Sequence, residues 1–346
     1  MKLLNRLHKT CTRVRFYLGQ TALLLFPQWY FQRKANALKR QWQTIQSSAP
    51  TRATQILARV NYYNKLTRPF DLSCNPAREQ ICSFRLADNG STYYLDSKPL
   101  LKLFSPHFYF LHEFGDVTHV PTEPSIVKSR PIMNTMLNQP TNQPTNQPTN
   151  QPTNNENSVV LKLDSVRHFY VYPDKVRFED KKPMLVWRGA SHQPHRQRFL
   201  EMFHDHPLCD VGCVHKRSLA TPYHRDYLSI AEQLQYRYVL SIEGNDVATN
   251  LKWIMASNSL CFMVKPVYET WLMEGRLEAG KHYVELKSDY SDLAEKIAFY
   301  NANPDKAKAI IANANAWMAQ FFDKRQEQLV SYLVLENYFQ LQNVMK

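Results

Sequence analysis

The first 70 residues contain no aspartate and no glutamate, and Asp71 is the first acid of the chain. The same stretch holds thirteen Lys and Arg, so the whole net charge of +13 (43 basic against 30 acidic residues in 346) sits in this N-terminal fifth. Beyond Phe70 the two signs balance, which excludes a surface built to coat nucleic acid. A membrane-crossing helix needs about 20 consecutive apolar residues. The candidate run, Phe16 to Phe31 (FYLGQTALLLFPQWYF), stops at sixteen and is interrupted by Gln20, Pro27 and Gln28. No small-residue cleavage site follows it in PQWYFQRK, so a signal peptide is not expected. The six cysteines, at positions 11, 74, 82, 209, 213 and 261, show no framework spacing, which predicts reduced thiols in a cytoplasmic protein. There is no Asp-x-Asp triplet, so a bound divalent ion is not implied. His204, His206, Cys209, Cys213 and His215 lie close together, but the C-x3-C spacing in a loop-and-strand stretch reads as surface and core rather than as a zinc site.

What the N-terminus does have is an apolar run flanked by Arg13, Arg15, Arg33 and Lys34 and ending in Trp29, Tyr30 and Phe31. Aromatics at headgroup depth with basic flanks suit an anionic membrane surface. A helix buried on the rest of the protein with a solvated basic face has the same composition. Further on, Gln139 to Asn154 is four copies of Gln-Pro-Thr-Asn. Proline at every fourth position forbids helix, and no apolar side chain offsets the cost of ordering, so a flexible surface insertion is predicted. The codons CAA CCA ACC AAC spell this unit and are also repeats of CAAC. Slippage in such a tract would shift the frame ahead of Trp187, a route to phase-variable expression.

The segment from Tyr236 to Leu286 has the order strand, loop, helix, strand, strand. Tyr238, Val239, Leu240 and Ile242 form a short buried run that breaks at Glu243-Gly244-Asn245-Asp246 and resumes as a helix through Leu251, Trp253, Ile254 and Met255. Strands follow at Ser259 to Val264 and His282 to Leu286. In an open α/β sheet such a loop lies at the carboxyl edge, where backbone N–H groups can hold a phosphate. Gly244 permits close backbone approach; Asn245, Asp246, Thr249, Asn250 and Lys252 supply polar atoms and charge. Strands are also expected at Val159 to Leu161, His168 to Tyr172 and Met184 to Val186. Asp292 with Glu295 reads as a capping box, Asn303-Pro304 opens a further helix with Ile310, Ile311, Ala314, Trp317, Met318 and Phe321 at core spacing, and Gln326 to Met345 is amphipathic.

WRGASHQPHR at Trp187 to Arg196, IEGNDVATNLKW at Ile242 to Trp253, YETW at Tyr268 to Trp271 and HYVEL at His282 to Leu286 occur here in one order. Together they resemble glycosyltransferase family 90, from about Ser125 to Phe321, in its bacterial lipopolysaccharide branch; the family also holds capsule-associated xylosyltransferases and protein O-glucosyltransferases. The resemblance implies an α/β, GT-B-like fold: two Rossmann-like domains facing a cleft, with helical N- and C-terminal additions. The expected division is 1–70, a basic membrane-surface segment; 71–180, an acceptor-side α/β domain with the insertion at 139–157; 181–321, the nucleotide-sugar domain; and 322–346, a C-terminal helix. The implied reaction is transfer of a hexose (glucose or galactose) from a UDP-sugar to lipooligosaccharide core, with inversion, by a peripheral protein on the inner face of a bacterial inner membrane. No cofactor or metal is expected. A protein or capsule acceptor is the alternative, and a basic nucleic-acid-binding protein the non-enzyme one.

Such chemistry needs the leaving pyrophosphate neutralised and the acceptor hydroxyl activated by a base. The expected donor-side residues are Arg188, Gly189, Arg196, Gly244, Asn245, Asp246, Thr249, Asn250, Lys252 and Glu269, with weight on Arg188, Arg196 and Lys252; a structural ion pair is the alternative for Arg188 and a helix cap the alternative for Glu269. In the animal branch a serine follows the RG pair and an arginine ends the later loop, where Ala190 and Asn250 stand here. Pro131 likewise replaces an aspartate of that branch, leaving Asp116 and Asp246 as candidate bases. Lys128 and Arg130 are candidates for acceptor phosphate.

Overall fold

The computed structural model describes residues 2–86, 90–133 and 154–342. The Gln-Pro-Thr-Asn repeat lies, up to residue 153, outside the described residues. In chain order the strands are β1 (Glu79–Gln80), β2 (Tyr109–Glu113), β3 (Ser125–Val127), β4 (Arg130–Pro131), β5 (Ser158–Val160), β6 (Lys182–Gly189), β7 (Cys209–Cys213), β8 (Tyr236–Leu240), β9 (Leu260–Val264), β10 (Tyr268–Glu269) and β11 (Val284–Leu286). The chain forms two compact units. One comprises residues 1–10, 167–266 and 276–320, the other 11–166, 267–275 and 321–346. The fold is mixed α/β with parallel sheets.

The unit around residues 167–266 is built on a five-stranded sheet of order β11-β9-β8-β6-β7, parallel throughout. Alternation sends Leu185, Trp187, Val211, Tyr238, Leu240 and Phe262 to one face, against Phe199, Leu200 and Phe203 of the helix Pro194–Phe203 and Leu293 and Ile297 of the helix Leu293–Ala302. Val186, Val239, Cys261 and Met263 alternate to the other face and are equally buried. Burial on both faces is why these strands read as continuous apolar runs. The helices Leu251–Met255 and Pro304–Ala319 pack on β9.

Three local expectations are corrected. His168 to Tyr172 is not a strand: a short helix, Ser165–His168, ends there. The strand at Met184 continues through Gly189, because Trp187 to Gly189 stay in register with Val211 to Cys213. Asp292 makes no side-chain cap; its carboxylate instead accepts from the Lys287 amide (3.0 Å) and pairs with Lys296 (2.6 Å).

The other unit has a sheet of order β1-β2-β3-β5, with β2, β3 and β5 parallel and β1 antiparallel at the edge. Around it stand the helices Gln28–Ser48, Pro50–Tyr63 and Lys324–Leu341. Its interior is pinned by buried ions. Glu327 accepts from Arg59 (2.6 Å), Lys162 (2.6 Å) and the Trp271 indole N–H (2.7 Å). Trp271 stacks flat on Tyr63, ring centroids 3.9 Å apart and 6° from parallel. Removing one member of a buried ion network strands the others without compensation. Glu327→Ala should therefore lower the unfolding free energy by about 3–5 kcal/mol, measured by denaturant titration followed by far-UV circular dichroism; a loss below about 1 kcal/mol would show that Arg59 and Lys162 find other partners.

Candidate active site

In the five-stranded sheet the chain leaves β6 for β7 on one side and later enters β8 on the other. This is the order 2-1-3-4-5, whose switch point lies between its first and third strands; ligands of open α/β sheets bind outside the carboxyl ends of the strands at such a point. Here the flanking loops are Ala190 to Gln193 after β6 and Ser241 to Asn250 after β8. Arg196, in the first turn of the helix Pro194–Phe203, ties them together. Its Nη1 donates to the Ala190 carbonyl (2.9 Å), its Nη2 to that of Ile242 (2.8 Å) and its Nε to that of Glu243 (2.9 Å). Burial pulls the Arg196 pKa down from the ordinary guanidinium value.

The rest of WRGASHQPHR serves the same geometry. A Cβ on Gly189 would come within 2.5 Å of the Trp187 ring, so glycine is what lets the indole fold back there. The Arg196 guanidinium then lies 5.6 Å from the centre of that ring. Across the crevice, a Cβ on Gly244 would sit 3.3 Å from Arg196 Nη2, a tight approach. Gln193 donates to Asn245 Oδ1 (2.9 Å), and the His195 ring meets the Glu243 carbonyl (2.8 Å). Burial lowers the His195 pKa, opposed by its bond to the Glu243 carbonyl and helped by the Arg196 charge, and its Nε2 donates to that carbonyl. Sequence reasoning did not single out Gln193 or His195; membership of the motif was their only signal.

Asn250 bridges back to the strand end, donating to the Leu240 carbonyl (2.9 Å) and accepting from Ser241 (3.1 Å). Asn245 and Thr249 are exposed at the rim, whereas Asp246 and Lys252 are buried beneath it, at 2% and 0% exposure. Arg188 points elsewhere: it pairs with Asp210 and donates to the carbonyls of Asp210 (2.7 Å) and Asp226 (3.0 Å). Burial alone would raise the Asp210 pKa, but hydrogen bonds from Tyr236 and Arg188 outweigh it and hold the carboxylate below its usual range. The structure therefore brings Arg196, Gly189, Gly244, Asn245, Asp246, Thr249, Asn250 and Lys252 to one edge and sets the Arg188 guanidinium in a structural pair.

Glu269 belongs to the other unit. Its β10 pairs with β4, and its carboxylate accepts from Arg130 Nε (2.7 Å) and from the Tyr62 hydroxyl. Arg130 is fully buried and also donates to the carbonyls of Tyr62 (2.5 Å), Tyr63 (3.3 Å) and Ser158 (3.0 Å). In this geometry both residues hold the fold together. Lys128, only 1% exposed, donates to Asp116 (2.7 Å), whose side chain remains 35% exposed. Cys209 and Cys213 of the cysteine-histidine cluster are core residues of β7. Among the described residues no group of three or more His, Cys, Asp or Glu could hold a metal ion.

The sequence pattern of the family described as "Glycosyl transferase family 90" matches residues 164–345, over half the chain and all of the switch-point loops. The chain belongs to glycosyl transferase family 90. Within that family it is 50% identical over 337 residues to "O-glucosyltransferase LpsA" of Dichelobacter nodosus, covering 97% of this chain and 98% of that protein. It is 29% identical over 173 residues to human "Protein O-glucosyltransferase 3", covering 47% of this chain and 33% of the human one. It is 25% identical over 141 residues to rat "Protein O-glucosyltransferase 1", covering 38% and 36%. A second pattern, described as "PT disordered repeat", matches residues 133–156. Glycosyl transfer is thus the reaction class of this family 90 member.

Arg196→Ala would leave three loop carbonyls without their donor. Losing such contacts costs about 1–3 kcal/mol, so the variant should unfold at lower denaturant concentration and bind a nucleotide diphosphate more weakly. Weaker binding with unchanged stability would show that Arg196 acts on ligand alone.

Proposed function

We propose that this chain transfers a hexose, glucose or galactose, from a UDP-sugar to lipooligosaccharide core. The observation that carries the reading is the pair of loops held by Arg196 at the switch point of a parallel sheet, the place where such folds receive a phosphate-bearing ligand. The near full-length likeness to a bacterial protein named O-glucosyltransferase LpsA supports a glucosyl donor and this acceptor class. The proposed architecture is GT-B-like, with the donor held by the domain around residues 181–321. The Arg196 guanidinium and the loop from Gly244 to Asn250 would orient the diphosphate, with Asn245 and Thr249 at the rim as the contacts open to solvent. Lys252 lies buried under the loop and adds positive charge there.

In the proposed inverting step the acceptor oxygen bonds to the anomeric carbon as the bond to the β-phosphate oxygen breaks, UDP departs, and the hydroxyl proton passes to a carboxylate. Asp116 is our first choice of base, because it reaches solvent while Asp246 is buried. The absence of an Asp-x-Asp triplet favours charge neutralisation by protein donors without a metal.

The proposed location is the cytoplasmic face of the bacterial inner membrane. Among the described residues no helix is long and apolar enough to cross a membrane. The turn between the helices Lys2–Leu24 and Gln28–Ser48, however, exposes Leu25 (83%), Trp29 (54%) and Phe26 (45%). Lys102 Nζ holds this turn by the carbonyls of Leu24 (3.1 Å) and Phe26 (2.9 Å), so its apolar tip is presented on a fixed base. Phase variation through the repeat tract belongs to the same proposal and rests on the codon argument.

Incubating the protein with a panel of UDP-sugars and truncated lipooligosaccharides should give one product heavier by a single hexose, and Asp116→Asn should lower kcat by roughly 10²–10⁴-fold while sparing UDP binding. No mass change with any UDP-hexose would overturn the donor assignment, and an unaffected kcat would pass the base to Asp246. Leu25→Glu with Trp29→Glu should weaken binding to vesicles containing anionic phospholipid, with transfer to a soluble acceptor preserved; equal vesicle binding would remove the tip from the membrane.

A further inference from the structure

The unit that carries the apolar tip also contains a groove that the proposed donor site and base do not use. It has a volume of about 560 Å³ and runs between the helices Gln28–Ser48 and Lys324–Leu341, closed at one side by the turn Leu103 to Phe108. Sites for small ligands typically span ~300–1,000 Å³. Phe104 and Phe108, both half-buried, face it. Their rings are fixed from below: Phe104 stacks on Tyr332 with centroids 5.2 Å apart and 8° from parallel, and Phe108 on Phe339 at 5.2 Å and 25°. The opposite wall is polar. Gln32, Asn36 and Lys39 line it at helical spacing, and Glu336 faces them, accepting from the Tyr332 hydroxyl (2.7 Å) with Lys39 at 3.7 Å.

Fixed aromatic rings with amides across the groove and a carboxylate facing those amides suit a molecule with one apolar face and a rim of hydroxyls. A pyranose is such a molecule: its C–H face lies on a ring while its hydroxyls both donate and accept, which the amides on one side and the carboxylate on the other can answer. A bare acyl chain would leave those polar groups unanswered. The position along the helix narrows the class further. Trp29 of the exposed tip and the groove residues Gln32 to Lys39 share one helix, and at 1.5 Å per residue the groove lies roughly 5–15 Å beyond the tip. With the tip seated in a membrane, the sugars nearest the lipid are within that distance of it.

We propose that this groove binds the membrane-proximal sugars of the lipid-linked acceptor, apart from the sugar that receives the hexose. The proposal rests on the reading of the chain as a transferase acting on a lipid-linked saccharide. It makes the first residues of the acceptor a specificity determinant: the groove selects the core, and the donor site selects the hexose.

The test uses the full chain and two probes, truncated lipooligosaccharide as acceptor and its deacylated core oligosaccharide as soluble ligand. Gln32→Ala with Asn36→Ala changes two exposed helix positions to the residue most favourable in a helix, so folding is retained. Loss of two hydroxyl contacts should raise the acceptor KM about tenfold or more, with kcat and the UDP-sugar KM unchanged. It should also abolish the saturation-transfer NMR signal of the oligosaccharide. Asn36→Trp, which fills the groove, should do the same. If the parent protein transfers sugar and both variants match it in acceptor KM and oligosaccharide binding, the groove proposal falls and the function stands. If the parent modifies no lipooligosaccharide, the functional reading falls first and the groove proposal with it. Competition by the lipid portion alone, and not by the oligosaccharide, would assign the groove to an acyl chain and overturn the proposal.

Discussion

The carboxyl edge of a parallel sheet ends in loops whose carbonyls have no strand partner, and at the switch point two such loops face each other. Arg196 resolves this by donating to Ala190 on one loop and to Ile242 and Glu243 on the other. Its planar fork is the side chain that can reach three acceptors at once; a lysine would offer a single point. Trp187 beneath it and the glycines at 189 and 244 follow from the same demand, because each lets ring, guanidinium and loop come closer than a Cβ would allow. The motif WRGASHQPHR therefore holds the two loops at the switch point in one shape.

The other unit solves a different problem with buried charge. Within an apolar core that includes Phe110, Ile126, Val127 and Val159, Glu327 and Glu269 gather Arg59, Lys162 and Arg130 into its interior. One of the basic residues that make the N-terminal fifth look like a polyelectrolyte, Arg59, is thus an internal cross-link. Arg59 lies on Glu327, and Tyr62 and Tyr63 take part in the same contacts. Lys102, just beyond that stretch, donates to the carbonyls of the Leu25 turn instead. The Gln28 side chain adds bonds to the carbonyls of Lys102 and Phe104, so tip, turn and groove wall are mechanically one piece.

Much of the unit around residues 167–266 was legible in the chain. The strands at Tyr238, Leu260 and Val284 and the loop around Gly244 show as apolar runs broken by polar residues, a pattern that hydrophobic burial dictates locally. The same holds for Pro304 at the start of its helix. What misled were signals with more than one reading. Aromatic residues from His168 to Tyr172 suit a strand, yet the short helix Ser165–His168 takes the first of them and no strand follows before β6. Asp292 and Glu295 have the spacing of a capping box, but Lys296 and the Lys287 amide compete for the carboxylate and hold it.

The sequence by itself determined the α/β class, the basic apolar N-terminus and the family, because apolar periodicity, charge and ordered motifs are properties of neighbours along the chain. Only the tertiary structure decided which charges are free. Arg188 and Arg196 look alike in the sequence, yet Asp210 takes one into a pair while three carbonyls take the other to the crevice. Glu269 and Arg130, 139 residues apart, find each other because β10 lies against β4. Which ion meets which is set by strand pairing over long separations, and no local pattern encodes it.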